Sequence, residues 1–163
     1  MGKRFSSSFD SQAGVEGLFG VLTGPDWPAT KAAHLHDDSR TVRRDVGPGG
    51  AVTLVVSRAL PDGVPGFLQK FLPRDPRATQ SDVWGPSEGG ERHGTWSAEL
   101  AGAPARLGGT MRIEPTADGS RYIIEGEVKV GIPLIGGRAE AFIAAQVVRL
   151  AAAEAELVRS TLA

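Results

Sequence analysis

The C-terminal stretch constrains this chain more than any other. Residues 128–132 read as a strand, Pro133-Leu134-Ile135-Gly136-Gly137 breaks it, and from Arg138 onward there is neither Gly nor Pro. Apolar residues recur at Ala139, Phe142, Ile143, Val147, Leu150 and Leu157, spaced so as to form one stripe of a helix. Charges at Arg138, Glu140, Arg149, Glu156 and Arg159 fall off that stripe. About 25 residues at roughly 1.5 Å each give ~38 Å, longer than an average helix. Such a helix needs a large apolar partner, and only the strands upstream can supply one.

Length and charge remove several classes of function. The chain has 163 residues, which fits one domain spanning 1–163. A domain of that size buries roughly 68–70% of the surface its unfolded chain exposes, enough for a real core. A net charge of −1 provides no global field for nucleic acid or acidic lipid. Cysteine is absent, so disulfides, thiolate nucleophiles and Cys-based metal sites are excluded. Met1-Gly2-Lys3-Arg4-Phe5-Ser6 has basic residues but no apolar run behind them, so no secretory signal is expected. No window approaches the roughly 18 apolar residues of a membrane span. The expected location is the cytoplasm.

Upstream, residues 3–9 alternate, with Phe5, Ser7 and Phe9 on one face of a strand. Residues 11–23 place Val15, Leu18, Phe19 and Leu22 at helical spacing. Gly14, Gly17 and Gly20 weaken that helix by up to ~1 kcal/mol each, so either packing rescues it or the glycines permit close approach of another element. Gly24-Pro25 stops it, and Asp26 caps a second short helix with Pro28 in its first turn, running to His34. Strands over 39–46 and 51–60 flank a turn at Gly47-Pro48-Gly49-Gly50. Val64, Phe67, Leu68, Phe71 and Leu72 make a short apolar helix closed by Pro73, and strands follow over Arg77–Trp84, 91–100 and 106–114. Asp118-Gly119 is a two-residue turn signal. Centred there, the last hairpin pairs Ile113 with Ile124 and Leu107 with Val130 on the buried face, and Arg112 with Glu125 on the other. Strands in succession joined by short turns form an antiparallel sheet, and helices segregated to one face make the class α+β.

One strand, two short helices, about six strands and a long terminal helix together resemble the START-like, or SRPBCC, superfamily. Its helix-grip fold is a curved antiparallel sheet of about seven strands wrapped around a C-terminal helix. The run Gly126-Glu127-Val128-Lys129-Val130-Gly131-Ile132-Pro133-Leu134-Ile135-Gly136-Gly137 leading to Glu140 is more specific. With Leu60-Pro61 to Phe71-Leu72 and Gln80 to Trp84, it resembles the bacterial domain-of-unknown-function 2505 family. The resemblance implies an apolar cavity and no particular reaction or cofactor. Superfamily members include lipid carriers, polyketide cyclases, hormone receptors and co-chaperones.

On that fold, candidate wall residues are Trp84, Trp96, Met111, Ile113 and Ile124 from strands, and Phe142, Ile143, Val147 and Leu150 from the helix. Periodicity alone establishes only that these are buried. Phe67, Leu68 and Phe71 would cap the mouth, and Tyr122 could donate a hydrogen bond into the cavity, as a cyclase-like site requires. The leading expectation is a non-enzymatic carrier of a small hydrophobic or lipid-like ligand. The alternatives are a polyketide cyclase or aromatase, marked by Tyr122, His93 or Thr95 facing a cavity, and a partner-binding module without one. Lys70, Arg74 and Arg77 beside the apolar cap allow membrane-surface contact as a lesser reading.

Other constellations carry less. His34, His36, Asp37 and Asp38 have zinc-ligand chemistry but sit at a helix-to-strand junction where polar residues are ordinary, so no metal is expected. No Gly-x-Ser-x-Gly elbow presents a nucleophile, and Gly47-Pro48-Gly49-Gly50 lacks the Lys-Ser/Thr of a phosphate loop. Glu125, Glu127 and Lys129 share the solvent face. Arg40, Arg43 and Arg44 are split between faces by strand alternation, which argues against a nucleic-acid patch.

Overall fold

Alternating burial along the strands settles the architecture. The structure, a computed structural model, describes residues 2–35, 38–60, 64–100 and 102–162. The strands are β1 (Lys3–Ser11), β2 (Arg40–Val46), β3 (Val52–Ala59), β4 (Arg77–Trp84), β5 (Arg92–Leu100), β6 (Ala105–Thr116) and β7 (Gly119–Val130). Helices α1 (Val15–Leu22) and α2 (Trp27–Leu35) follow β1, α3 (Gly66–Gln69) lies between β3 and β4, and α4 (Gly136–Leu162) ends the chain. All seven strands form one antiparallel sheet in the order β1-β7-β6-β5-β4-β3-β2. The sheet is curved, and α4 lies against β1 and β7, with α1 on β6 and β7 and α2 on β2 and α4. This is the expected α+β helix-grip arrangement.

α4 has 27 residues, about 40 Å of helix. Its fully buried positions are Gly136, Ala139, Glu140, Ala144, Ala155 and Val158, mostly small, which lets the helix approach the sheet closely. Of the predicted stripe only Ala139 is fully buried; Phe142, Ile143, Val147, Leu150 and Leu157 are half-buried. Glu140, expected off the apolar stripe, differs from that expectation because it caps a backbone donor. It is buried, and its Oε2 accepts the Val130 backbone N–H at 2.9 Å, tying the start of α4 to the end of β7. Near its C-terminal end α4 joins the hydrophobic core: Ala155 and Val158 belong to one cluster with Phe9, Val15, Leu18, Phe19 and Tyr122. Burial of Val15, Leu18, Phe19 and Leu22 stabilises α1 despite its glycines, none of which approaches another element. α1 starts at Val15 rather than residue 11 because β1 runs on to Ser11.

The last hairpin is in a different register from the expected one. Ile113 faces Tyr122, Met111 faces Ile124, Leu107 faces Val128 and Arg112 faces Ile123. The slip is two residues, which keeps every side chain on its expected face. Ala117 and Asp118 make the turn, because Thr116 already pairs with Gly119. Gly119 is a glycine for another reason: a Cβ there would collide with the Ser11 carbonyl oxygen and lie 2.7 Å from the Gln12 carbonyl carbon. Arg112 therefore meets Glu114 on its own strand at 3.5 Å rather than Glu125.

Candidate functional site

The inner face of the sheet carries an uncommon row of residues. Phe5, Gly126, Gly109, Trp96, Asp82 and Leu54 are successive cross-strand partners from β1 to β3. A Cβ on Gly109 would strike the Glu125 carbonyl oxygen, and one on Gly126 would lie 2.5 Å from Trp96 Cζ2. Gly126 thus leaves room for the Trp96 indole, while Gly109 lets β6 and β7 approach closely; Trp96 Nε1 donates to the Glu125 carbonyl at 3.1 Å and its ring stands 5.7 Å from that of Phe5. Next in the row, Asp82 is a carboxylate on the inner face of a sheet, between Trp96 and Leu54.

Between this face and α4 lie two adjoining chambers. One, of about 140 Å³, is walled by aliphatic and aromatic groups that include Leu68 and Phe71 near α3, Leu100, Ile132, Phe142 and Ile143. The other, of about 110 Å³, contains Phe9, Trp27, Trp84, Trp96, Tyr122 and Ile124 together with Lys31, Gln80, Asp82 and Glu154. Arg58, Ala98, Leu107, Val147 and Leu150 belong to both walls, so the chambers meet there. Together they fall slightly below the roughly 300 Å³ at which typical ligand sites begin.

The polar chamber is electrostatically uneven. Lys31 of α2 and Glu154 of α4 pair at 2.8 Å across its helical side. Asp82 lies deep but keeps accessible surface because it faces the open chamber; its Oδ1 accepts from Gln80 Nε2 at 3.0 Å. Burial raises its pKa, against the hydrogen bond from Gln80 and the charges of Lys31 and Arg58, with Glu154 adding to the rise. Burial, then the negative charges of Glu154 and Asp82, holds the Tyr122 phenol well above its ordinary value of 10.0. Tyr122 Oη has the Met111 sulfur at 4.0 Å, a weak acceptor.

Of the sequence-derived candidates, Leu68, Phe71, Phe142 and Ile143 line the apolar chamber and Trp84, Trp96, Tyr122 and Ile124 the polar one, while Val147 and Leu150 line both. Met111 and Ile113 are buried in the hydrophobic core and line neither chamber. Phe67 lies under the Arg138 guanidinium, 4.2 Å from ring centroid to Cζ. His93 is exposed and bonds Glu91 at 2.9 Å, and Thr95 is exposed. His36 and Asp37 lie outside the described residues; Asp38 instead accepts from the Ala59 N–H and Arg77 Nη1, each at 2.7 Å. No group of three His, Asp or Glu able to hold a metal occurs among the described residues. Arg77, grouped above with the membrane-facing cations, is tied to the sheet through Asp38 and Ser57. No helix among the described residues is long and apolar enough to cross a membrane.

Sequence reasoning missed Asp82, Gln80, Lys31, Glu154 and Arg58. One signal was available: along β4, Ala78, Gln80 and Asp82 alternate in phase with Trp84, so a buried tryptophan predicts inward-facing polar groups.

A sheet gripping a terminal helix over internal chambers defines the START-like class, and comparison with solved structures agrees. Norcoclaurine synthase from Thalictrum flavum, solved with dopamine and hydroxybenzaldehyde, superposes with a TM-score of 0.63 at 14% identity over 99% of this chain and 87% of that one. A STAR-related lipid transfer protein from Xanthomonas axonopodis gives 0.60 at 15% identity over 98% and 85%. Within that class, the chain belongs to the family described as protein of unknown function (DUF2505), which matches residues 6–162. An uncharacterized protein of Mycobacterium tuberculosis (strain H37Rv) is 25% identical over 162 residues, covering 94% of this chain and 93% of the relative.

Proposed function

We propose that this protein is a cytoplasmic carrier for a small hydrophobic or lipid-like molecule held between the sheet and α4. The observation that carries the reading is the pair of adjoining chambers, one apolar and one with polar groups, meeting at Ala98, Leu107, Val147 and Leu150. Such a division suits an amphiphile: its tail gains about 25 cal/mol per Å² of apolar burial, less the cost of association, and its head keeps polar contacts. Leu68 and Phe71 put the apolar end beside α3, the natural cap. Open chambers count against a partner-binding module with a collapsed interior.

Val147→Trp tests this, because Val147 belongs to both walls. Calorimetric titration with decanol should show binding to the wild type and none to the variant, while circular dichroism shows the fold intact. Undiminished binding by the folded variant would sink the reading. Tyr122 facing the polar chamber keeps the cyclase-like alternative in view. Mass spectrometry separates the two, since a carrier returns its ligand unaltered.

A further inference from the structure

Arg58 is the residue that the fold leaves unexplained. It lies on the inner face of β3, opposite Ala78 of β4, and belongs to the walls of both chambers. The other charged groups of the polar chamber are engaged: Lys31 with Glu154 and Asp82 with Gln80. Arg58 has no hydrogen-bond or ion-pair partner among the described residues, yet it is half-buried. Its charge reaches Asp82, but its N–H donors are left without an acceptor among the described residues, and a carboxylate arriving with the ligand would supply one. Its planar fork of N–H donors matches the two oxygens of a carboxylate, which a lysine ammonium would not.

We propose that the ligand is an amphiphilic monocarboxylic acid, its carboxylate bound by Arg58 where the chambers meet and its tail in the apolar chamber. The charge balance selects a monoanion. Arg58, a cation without a hydrogen-bond or ion-pair partner among the described residues, faces the site, while Asp82 and Glu154 nearby would repel a phosphate dianion. Burial holds the Asp82 carboxyl toward its neutral form, which weakens its opposition to a single negative charge. This inference rests on the carrier reading and adds the chemistry of the head group.

The test compares decanoate, decanol and decylamine, which share a tail and differ only in the head. Trp27, Trp84 and Trp96, the only tryptophans of the chain, all line the polar chamber, so intrinsic fluorescence reports occupancy. Decanoate should bind about tenfold or more tightly than decanol, and decylamine most weakly. Arg58→Gln should collapse the decanoate-to-decanol ratio toward one, and Arg58→Lys should restore part of it, showing that loss in the first variant is not misfolding. Equal binding of decanoate and decanol by the wild type, or a ratio that survives Arg58→Gln, overturns the head-group inference alone. Failure of all three probes to bind overturns the carrier reading with it.

Discussion

Two inward-facing carboxylates, Asp82 and Glu140, serve opposite purposes. Glu140 is structural. Its carboxylate satisfies the Val130 N–H where β7 gives way to α4, a junction so tight that a Cβ on Gly136 would lie 2.8 Å from the Val130 carbonyl oxygen. Glu140→Ala leaves that N–H unpaired and should destabilise the protein by about 1–3 kcal/mol in urea titration, whereas Glu140→Gln keeps an acceptor and should lose less. Asp82 detracts from stability. Its native pKa lies above the ordinary 3.8, so the folded state binds this proton more tightly than the unfolded chain. Its contribution is therefore fully present below the unfolded pKa and is lost as pH rises through the folded one. Asp82→Asn should melt above the wild type at neutral pH, and the gap should close as pH falls to 3.8. A gap independent of pH would show that Asp82 is not the titrating group. A polar group kept at a cost to stability inside a sheet is where a binding site is expected.

At the scale of elements, the facing glycines of β6 and β7 make the site possible. Gly109 lets β7 come close and Gly126 leaves the space that Trp96 occupies, and Trp96 with its neighbour Asp82 then lines the polar chamber. Gly109→Ala drives a methyl into the backbone of β7, which has no rotamer with which to yield. We expect a loss of about 1–3 kcal/mol or more, with a shifted tryptophan emission maximum. An unchanged spectrum and stability would mean that the strands separate locally and that Trp96 is held by other contacts. Order, type and most bounds of the elements were legible because strands and helices impose different apolar periods. The hairpin register was not. Asp118-Gly119 resembled a turn, but what Gly119 meets is the backbone at the end of β1, more than a hundred residues earlier in the chain. Periodicity recovered the faces because a slip of two residues preserves them.

For the molecule as a whole, the inner side of the sheet is divided along the length of α4. Near its C-terminal end Ala155 and Val158 join α1 in a packed core, and nearer its start the half-buried Phe142, Ile143, Val147 and Leu150 border open space. The chain alone determined the class of fold, because a long Gly- and Pro-free helix and a set of alternating strands have few ways to bury each other. It also determined which face of each strand turns inward, though not which residues of α4 are buried. It could not say which inward-facing residues touch one another and which touch a void, since burial and cavity lining have the same period: Met111 and Ile124 face each other on adjacent strands, yet one is in the core and the other on a chamber wall. That choice, and the meeting of Lys31 with Glu154 and of Asp82 with Gln80 beside Arg58, was made by the curvature of the sheet and the height at which α4 rides over it. Both depend on small residues in contact across the fold, a property of the assembled chain and not of any segment of it.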